Sequence, residues 1–339
     1  MRYTFLLPII ALTFIACNKN DIETNCNKKI EFLANNLQQQ CNLKTKGIEL
    51  TNDNIRSFGV YAYYHKPLDE EITTSSPNFM LNQKVEKDGT TWKYSPIKYW
   101  PREGSISFCA YSPYSTGNNI LLSTTSQSKG YPQITYITPD SFLNQIDLLI
   151  STPLLYQTIG DLNANKKIVI PFKHALSSIN FKAKMRSAAT FPIKIRSIKI
   201  ESLKNKAEYN YNKLTWIFTT DAEEKSYELT IANNELENID ISKNTTSTPL
   251  FKANNTLMVL PQTIDNTDLI TVTLELYLQG NTNVAVIKTA SAKLNSYVKE
   301  LSIGEKYNIE LIVSAVGNVT ITCKVDPWDN ESIIVPDFD

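Results

Sequence analysis

Histidine is nearly absent from this chain: His65 and His174 are the two among 339 residues. A lone imidazole without Cys or His neighbours at ligand spacing makes a poor zinc site, so no metal is expected and His174 reads as a packing residue. A Gly-Lys-Ser/Thr phosphate loop, a Gly-x-Ser-x-Gly elbow and paired Cys-x-x-Cys motifs are missing too. No enzyme or cofactor class is therefore indicated. An excess of either charge is also lacking, since 34 Lys and Arg balance 34 Asp and Glu. That removes the electrostatic case for nucleic acid as a partner. After residue 16 no apolar run is long enough for a membrane-spanning helix. Cysteine is sparse, and five in a chain of this size do not make a disulfide scaffold. Cys323 shares an alternating face with Val319, Ile321 and Val325 and reads as a small core hydrophobe. Cys109 lies on the face opposite Ile106, Phe108 and Ala110, so these two cysteines are not expected to pair.

What is present begins at the first residues. Met1–Ala16 carries an early cation (Arg2), an apolar run from Phe5 to Ile15 and the small residue Ala16. This is the layout of a secretory signal peptide, too short to span a bilayer. Phe14-Ile15-Ala16 leads straight into a cysteine and resembles the lipobox of bacterial lipoproteins. Cys17 is thus the candidate lipidation residue and mature N-terminus, with acyl chains as the membrane attachment. Removing the signal leaves 339 − 16 = 323 residues, enough for two domains. In an exported protein Cys26 and Cys41 are candidates for a bridge within the N-terminal segment.

Residues 18–46 are polar, and Asn18–Glu23 reads as a solvated tether. Ile30, Leu33 and Leu37 stand at near-helical spacing, which predicts a short helix within Ile30–Leu43. From Ser57 onward the pattern is strand. Phe58, Val60, Ala62 and Tyr64 alternate with Gly59, Tyr61 and Tyr63, and Ser105–Tyr111 alternates and stops at Ser112-Pro113. Lys167–Phe172, Ser178–Lys184, Phe191–Ser202, Leu269–Leu278, Lys306–Val313 and Asn318–Val325 continue the style. Tyr, Thr and Ile are plentiful, with Gly and Pro scattered as punctuation. Short alternating strands at regular spacing predict an all-β chain of antiparallel β-sandwiches. The expected organisation is a signal peptide (1–16), a lipidated tether and pro-segment (17–47), and two domains, 48–168 and 169–339.

Particular strings then carry a resemblance. They are Phe58-Gly-Val-Tyr-Ala-Tyr-Tyr64, Lys98-Tyr-Trp-Pro101 with Ile106-Ser-Phe-Cys-Ala-Tyr-Ser-Pro113, and Asp147-Leu-Leu149. Further along come Ile170-Pro-Phe-Lys-His-Ala-Leu-Ser-Ser-Ile-Asn-Phe181, Leu260-Pro-Gln262, Gly304-Glu-Lys-Tyr-Asn-Ile309 and Val319-Thr-Ile-Thr-Cys-Lys-Val-Asp-Pro-Trp328. In this order they resemble the fimbrillin-like proteins of Bacteroidales, the building blocks of type V pili.

The resemblance implies two transthyretin-like Greek-key β-sandwiches in a lipoprotein precursor delivered to the outer membrane and cell surface. It implies a cut after an arginine by a trypsin-like, Arg-specific protease, loss of a first strand, and filling of the open groove by a C-terminal strand from another pilin subunit. Of five arginines, Arg56 alone lies between Cys17 and the first confident strand, so Arg56-Ser57 is the candidate processing bond. Ile48, Leu50 and Ile55 would belong to the strand removed. Ser332-Ile-Ile-Val335 is the sole strand-like piece after Trp328, which makes Ile333, Ile334 and Val335 the candidate donor residues. If Arg56 is not cut, the chain keeps its lipid and serves as a pilus anchor or a surface lipoprotein that binds host ligands or glycans. Trp92, Tyr94, Tyr99 and Trp100 are the aromatics available for a glycan platform, though packing under a loop is their commoner use.

Overall fold

A computed structural model of the chain describes residues 28–35, 49–51, 54–66, 71–115, 117–123, 129–162, 166–251, 255–278 and 285–328. Cys17, Cys26, Cys41, Ile48 and the candidate donor residues Ile333, Ile334 and Val335 lie outside them. The described residues are all β apart from three-residue 3-10 turns at Phe142–Asn144, Ile159–Asp161 and Leu294–Ser296. No helix among them is long and apolar enough to cross a membrane.

The strands of the first half are β1 (Phe32–Asn35), β2 (Ser57–His65), β3 (Met80–Asp88), β4 (Thr91–Lys93), β5 (Ser105–Ser112) and β6 (Ile120–Leu122). Then come β7 (Ile134–Ile137), β8 (Leu149–Ser151), β9 (Leu154–Gln157) and β10 (Ile168–His174), and the second half opens with β11 (Ser177–Met185). Next come β12 (Ile193–Lys204), β13 (Lys206–Asn210), β14 (Thr215–Phe218), β15 (Glu224–Thr230), β16 (Thr248–Pro249) and β17 (Leu257–Val259). The last are β18 (Gln262–Thr263), β19 (Leu269–Leu276), β20 (Val286–Lys293), β21 (Glu300–Leu301), β22 (Glu305–Val313) and β23 (Val319–Pro327).

The largest sheet runs β1-β10-β8-β5-β2-β3-β4, with β9 also on β5. A smaller sheet, β14-β13-β7-β6, joins strands from both halves of the sequence. Two further sheets, β16-β11-β22-β23 and β15-β12-β19-β20, are built wholly from the second half. Pairings are antiparallel except β1 on β10 and β11 on β22, which are parallel. Residue 168, where a division of the chain was expected, is the first residue of β10 and belongs to the largest sheet.

Period-two alternation decides which face each strand buries. The central strands β2 and β5 are buried on both faces. Phe58, Val60, Ala62, Ile106, Phe108 and Ala110 enter one apolar cluster. Tyr61, Tyr63, Cys109 and Tyr111 enter another, against Ile134, Tyr136, Tyr209 and Trp216 of the β14-β13-β7-β6 sheet. A third cluster joins the inner faces of the remaining two large sheets, including Phe181, Ile309 and Leu311 on one and Ile198, Val272 and Leu274 on the other. That face-to-face burial is sandwich packing.

β12 shows why spacing matters. Ile193, Ile195, Ile198 and Ile200 change parity between Ile195 and Ile198, which in a regular strand would turn the second pair to the opposite face. A register shift against β19 between Ile195 and Ser197 absorbs the extra residue, and all four isoleucines are buried together.

The two described cysteines are free. Cys109 is fully buried, and burial pushes its thiol well above the usual range. Cys323 is half-buried and pushed up to about 11. The face it was expected to share does not hold along β23. Ile321 is buried, but Val325 is 49% exposed because the sheet ends at this strand and leaves its far end uncovered.

Tyrosine carries much of the core. Burial pushes the phenols of Tyr61, Tyr94 and Tyr209 up to about 12, and those of Tyr63, Tyr111 and Tyr136 further in the same direction. A phenol whose folded value is raised keeps its proton while the unfolded chain loses it. Stability from these residues is therefore complete below about pH 10 and falls as pH rises from there through 12. Alkaline titration at 295 nm should show the buried set ionising late, together with loss of the near-ultraviolet dichroism. A single transition near pH 10 with the fold intact would contradict this placement.

Candidate functional site

Ile30-Glu-Phe-Leu-Ala34 has two periodicities available, and the structure uses the two-residue one. Ile30 and Phe32 point inward and are buried, while Glu31 and Leu33 are half-exposed. The helix expected from Ile30, Leu33 and Leu37 is thus replaced over residues 32–35 by β1, because burying Ile30 and Phe32 in a waiting slot outweighs the weak helical stripe. β1 runs parallel to β10 in the register Phe32↔Ile168, Leu33↔Val169, Ala34↔Ile170 and Asn35↔Pro171.

Just ahead of β1 the chain is held on its other side. Ile30 N–H donates to Lys98 O at 2.9 Å and Trp100 N–H donates to Lys28 O at 2.9 Å. The Tyr94 hydroxyl donates to Ile30 O at 2.8 Å. Ile168 N–H donates to Glu31 O at 2.8 Å, so the segment passes from one flank to the other between Lys28 and Phe32. The Phe32 ring sits among Tyr94, Phe108 and Phe58 at centroid distances of 5.5, 5.9 and 6.0 Å. Ile168, Ile170, Phe172 and Trp100 belong to the same apolar cluster. A strand from near the N-terminus therefore fills a groove that the rest of the sheet lines.

Arg56 lies after this strand and before β2. Its side chain is exposed, but its carbonyl accepts a hydrogen bond from Lys87 N–H at 2.8 Å. Ser57 begins β2 opposite Glu86, and its carbonyl accepts from the Ser112 hydroxyl at 2.9 Å. Leu50 and Ile55 do not form the strand expected of them. They belong to a turn in which Ile55 N–H donates to Thr51 O at 2.9 Å, with Ile55 fully buried. The strand lying upstream of Arg56 is β1 instead.

The model of the fimbrillin-like family matches residues 45–328. The chain belongs to the fimbrillin-like family. Among curated proteins, it is 24% identical over 374 aligned positions to fimbrium subunit Fim1C of Phocaeicola vulgatus, covering 97% of each chain. Among solved structures, a fimbrial protein from Bacteroides vulgatus superposes with a TM-score of 0.72 at 21% identity, covering 89% of this chain and 100% of that one. A candidate cell adhesion protein from Bacteroides uniformis gives a TM-score of 0.54 at 15% identity, covering 90% and 99%.

In this fimbrillin-like protein the four aromatics available for a glycan platform do not share an exposed face. Trp100 and Tyr94 are buried, and Trp92 packs edge-on against Phe58 at 4.9 Å with the Lys87 ammonium 5.8 Å from its ring centre. Tyr99 alone is exposed, at 51%. Trp92, Tyr94 and Trp100 belong to the apolar cluster around the groove that β1 fills. His65 is buried with Nε2 2.9 Å from the Ser107 hydroxyl. His174 stacks flat on Trp328 at 4.2 Å and places Nδ1 2.9 Å from Asp147 Oδ2, the packing role its surroundings suggested.

Three residues at this last spot were not singled out in the sequence. Asp147 is completely buried and also accepts from Leu50 N–H at 2.6 Å. Lys306 holds Glu49 at 2.7 and 2.9 Å and lies 5.8 Å from the Trp328 ring centre. The signal for Asp147, Lys306 and Trp328 was their presence in separate recognisable strings. Nothing local could tell that those strings meet.

Phe32→Ala tests the groove. Deleting a ring enclosed on three sides should destabilise the full-length protein by about 3–5 kcal/mol. Equilibrium urea unfolding reads this, and a loss below about 1 kcal/mol would mean β1 is not part of the sheet.

Proposed function

We propose that this chain is a structural, non-catalytic subunit of a type V-like fimbria at the cell surface, made as a lipoprotein precursor and assembled by strand exchange. In this reading Cys17 is acylated and delivers the protein to the outer membrane. An Arg-specific protease cuts Arg56-Ser57, β1 leaves, and a C-terminal strand of another subunit takes its place, giving polymers that support adhesion to a host or glycan receptor. The observation that carries it is the position of β1: it completes a groove from the N-terminal side of Arg56.

The energetics support exchange. Ile30 and Phe32 are the fully inward anchors, each worth about 1.5–3 kcal/mol on burial, so together roughly 3–6 kcal/mol. Once the chain is cut this must offset the entropy of holding a free peptide, which leaves β1 replaceable by a strand with equal or better anchors. Two anchors two residues apart is a small demand. Ile333 and Val335 have that spacing, so on this reading the short Ser332–Val335 piece meets the demand of a donor.

The second reading, an anchor or non-polymerising surface lipoprotein, draws support from the Arg56 carbonyl, which is tied into the β2–β3 ladder rather than presented on an open loop. The N-terminus of the protein recovered from cells separates the two. Ser57 at the N-terminus of most molecules is the outcome expected for a polymerising subunit. Acylated Cys17 on essentially all of them would overturn processing at Arg56 and leave the lipid-anchored reading.

A further inference from the structure

A trypsin-like protease binds several residues on both sides of the bond it cuts in an extended form, so the shape of residues 54–57 matters as much as exposure of the arginine. On the far side of the Arg56-Ser57 bond, Ser57 is in the sheet. On the near side, Glu49–Thr51 and Asn54–Ile55 fold into a closed turn. Thr51 N–H donates to Asn54 Oδ1 at 2.7 Å, and the Asn54 amide donates back to Glu49 O at 2.8 Å. Thr51 O receives both Asn54 N–H at 3.2 Å and Ile55 N–H at 2.9 Å.

This turn is fastened to sequence-distant parts of the fold. Leu50 N–H serves the buried Asp147 carboxylate, whose other partner is His174. The Glu49 carboxylate is paired with Lys306 of β22 and lies 4.0 Å from His174 Nε2. Glu49 and Lys306 are both about three-quarters buried, with side-chain exposures of 28% and 26%, so their pairing is screened less than a surface ion pair. Three contacts thus join the segment ahead of the bond to the loop before β8, the end of β10 and the start of β22.

We propose that Glu49–Thr51 with Asn54 and Ile55 act as a strap that holds the Arg56-Ser57 bond in an uncuttable shape, and that release of Glu49 from Lys306 is the step that admits a protease. This rests on Arg56-Ser57 being the processing bond only for its use in the cell; as a property of the folded chain it stands independently. The strap makes cutting a local-opening process. When opening and reclosing are fast, the cutting rate follows the fraction of molecules with the strap open. Weakening the Glu49–Lys306 contact raises that fraction without altering Arg56.

The test uses trypsin as the probe on the purified full-length chain under native conditions, with mass spectrometry following the fragment that begins at Ser57. Glu49→Gln and Lys306→Met should each speed this cut about tenfold, the factor corresponding to roughly 1.4 kcal/mol. Lys324→Met, which removes an exposed pair with Asp326 on β23, should not change it. The double variant Glu49→Gln/Lys306→Met should cut no faster than the quicker single variant, because both act through one contact. Hydrogen exchange at the Leu50 amide gives a second reading on the same proteins and should accelerate in parallel. Rates at Arg56 within twofold of the unsubstituted protein, in variants that retain its melting temperature, would overturn the strap. So would additive effects of the two substitutions. If cells never yield a Ser57 N-terminus while the variants are cut faster by trypsin, processing fails and the strap stands. The reverse pattern removes the strap alone.

Discussion

An apolar slot open to water is costly on two counts: it exposes carbon surface and it strands the backbone groups along its rims. The slot between β10 and the Lys98–Trp100 stretch is closed by one short segment, with Phe32 against Phe58, Tyr94 and Phe108 and the main chain bonded on both flanks. Because that segment precedes Arg56, the sheet is completed by a piece that the proposed cut would detach. On that proposal the subunit would be complete alone before processing and incomplete afterwards. Under the proposed strand exchange, a replacement strand would restore both the apolar contacts and the rim hydrogen bonds, so association would become the way the fold is finished.

The strands that bury one or both faces were legible because period-two alternation is what burial in a sheet requires. β2, β5, β11, β12, β19 and β22 fall within a few residues of their expected spans for that reason. β3 (Met80–Asp88) and β13 (Lys206–Asn210) were not foreseen, since polar residues fill most of their positions and the pairing partner supplies the order. β1 was misread because Ile30, Phe32 and Leu33 satisfy two periods at once, and the choice between them is made by a groove assembled from residues 58 to 172. Arg56 was legible as the sole arginine in the right interval. Its hydrogen-bonded carbonyl was not, since that depends on β3.

The recognisable strings acquire a physical meaning at the place where they meet. Asp147-Leu-Leu, the His-Ala-Leu at residue 174, Gly304-Glu-Lys and the Pro-Trp at 328 each place one side chain in a single stack: carboxylate, imidazole, indole, ammonium. A buried carboxylate is tolerated only with partners, and Asp147 finds them in His174 and in Leu50 N–H. One of those partners belongs to the segment that processing would remove. The junction is therefore sensitive to whether that segment is present, even though it lies away from the groove itself.

A processing bond at the start of a strand and under a strap looks like a poor choice, yet the two together would suit the exported precursor proposed above, which would have to survive transit intact. An open loop at Arg56 would be cut by any trypsin-like enzyme met along the way. A bond in the middle of a strand would require unfolding the sheet. Arg56-Ser57 sits where β2 begins: the ladder holds the carbonyl through Lys87, and one turn holds the residues before it. Strand ends and short turns open at far lower free energy than the core. The bond is thus closed by contacts weak enough to yield locally while Phe58, Val60 and the rest of β2 remain packed.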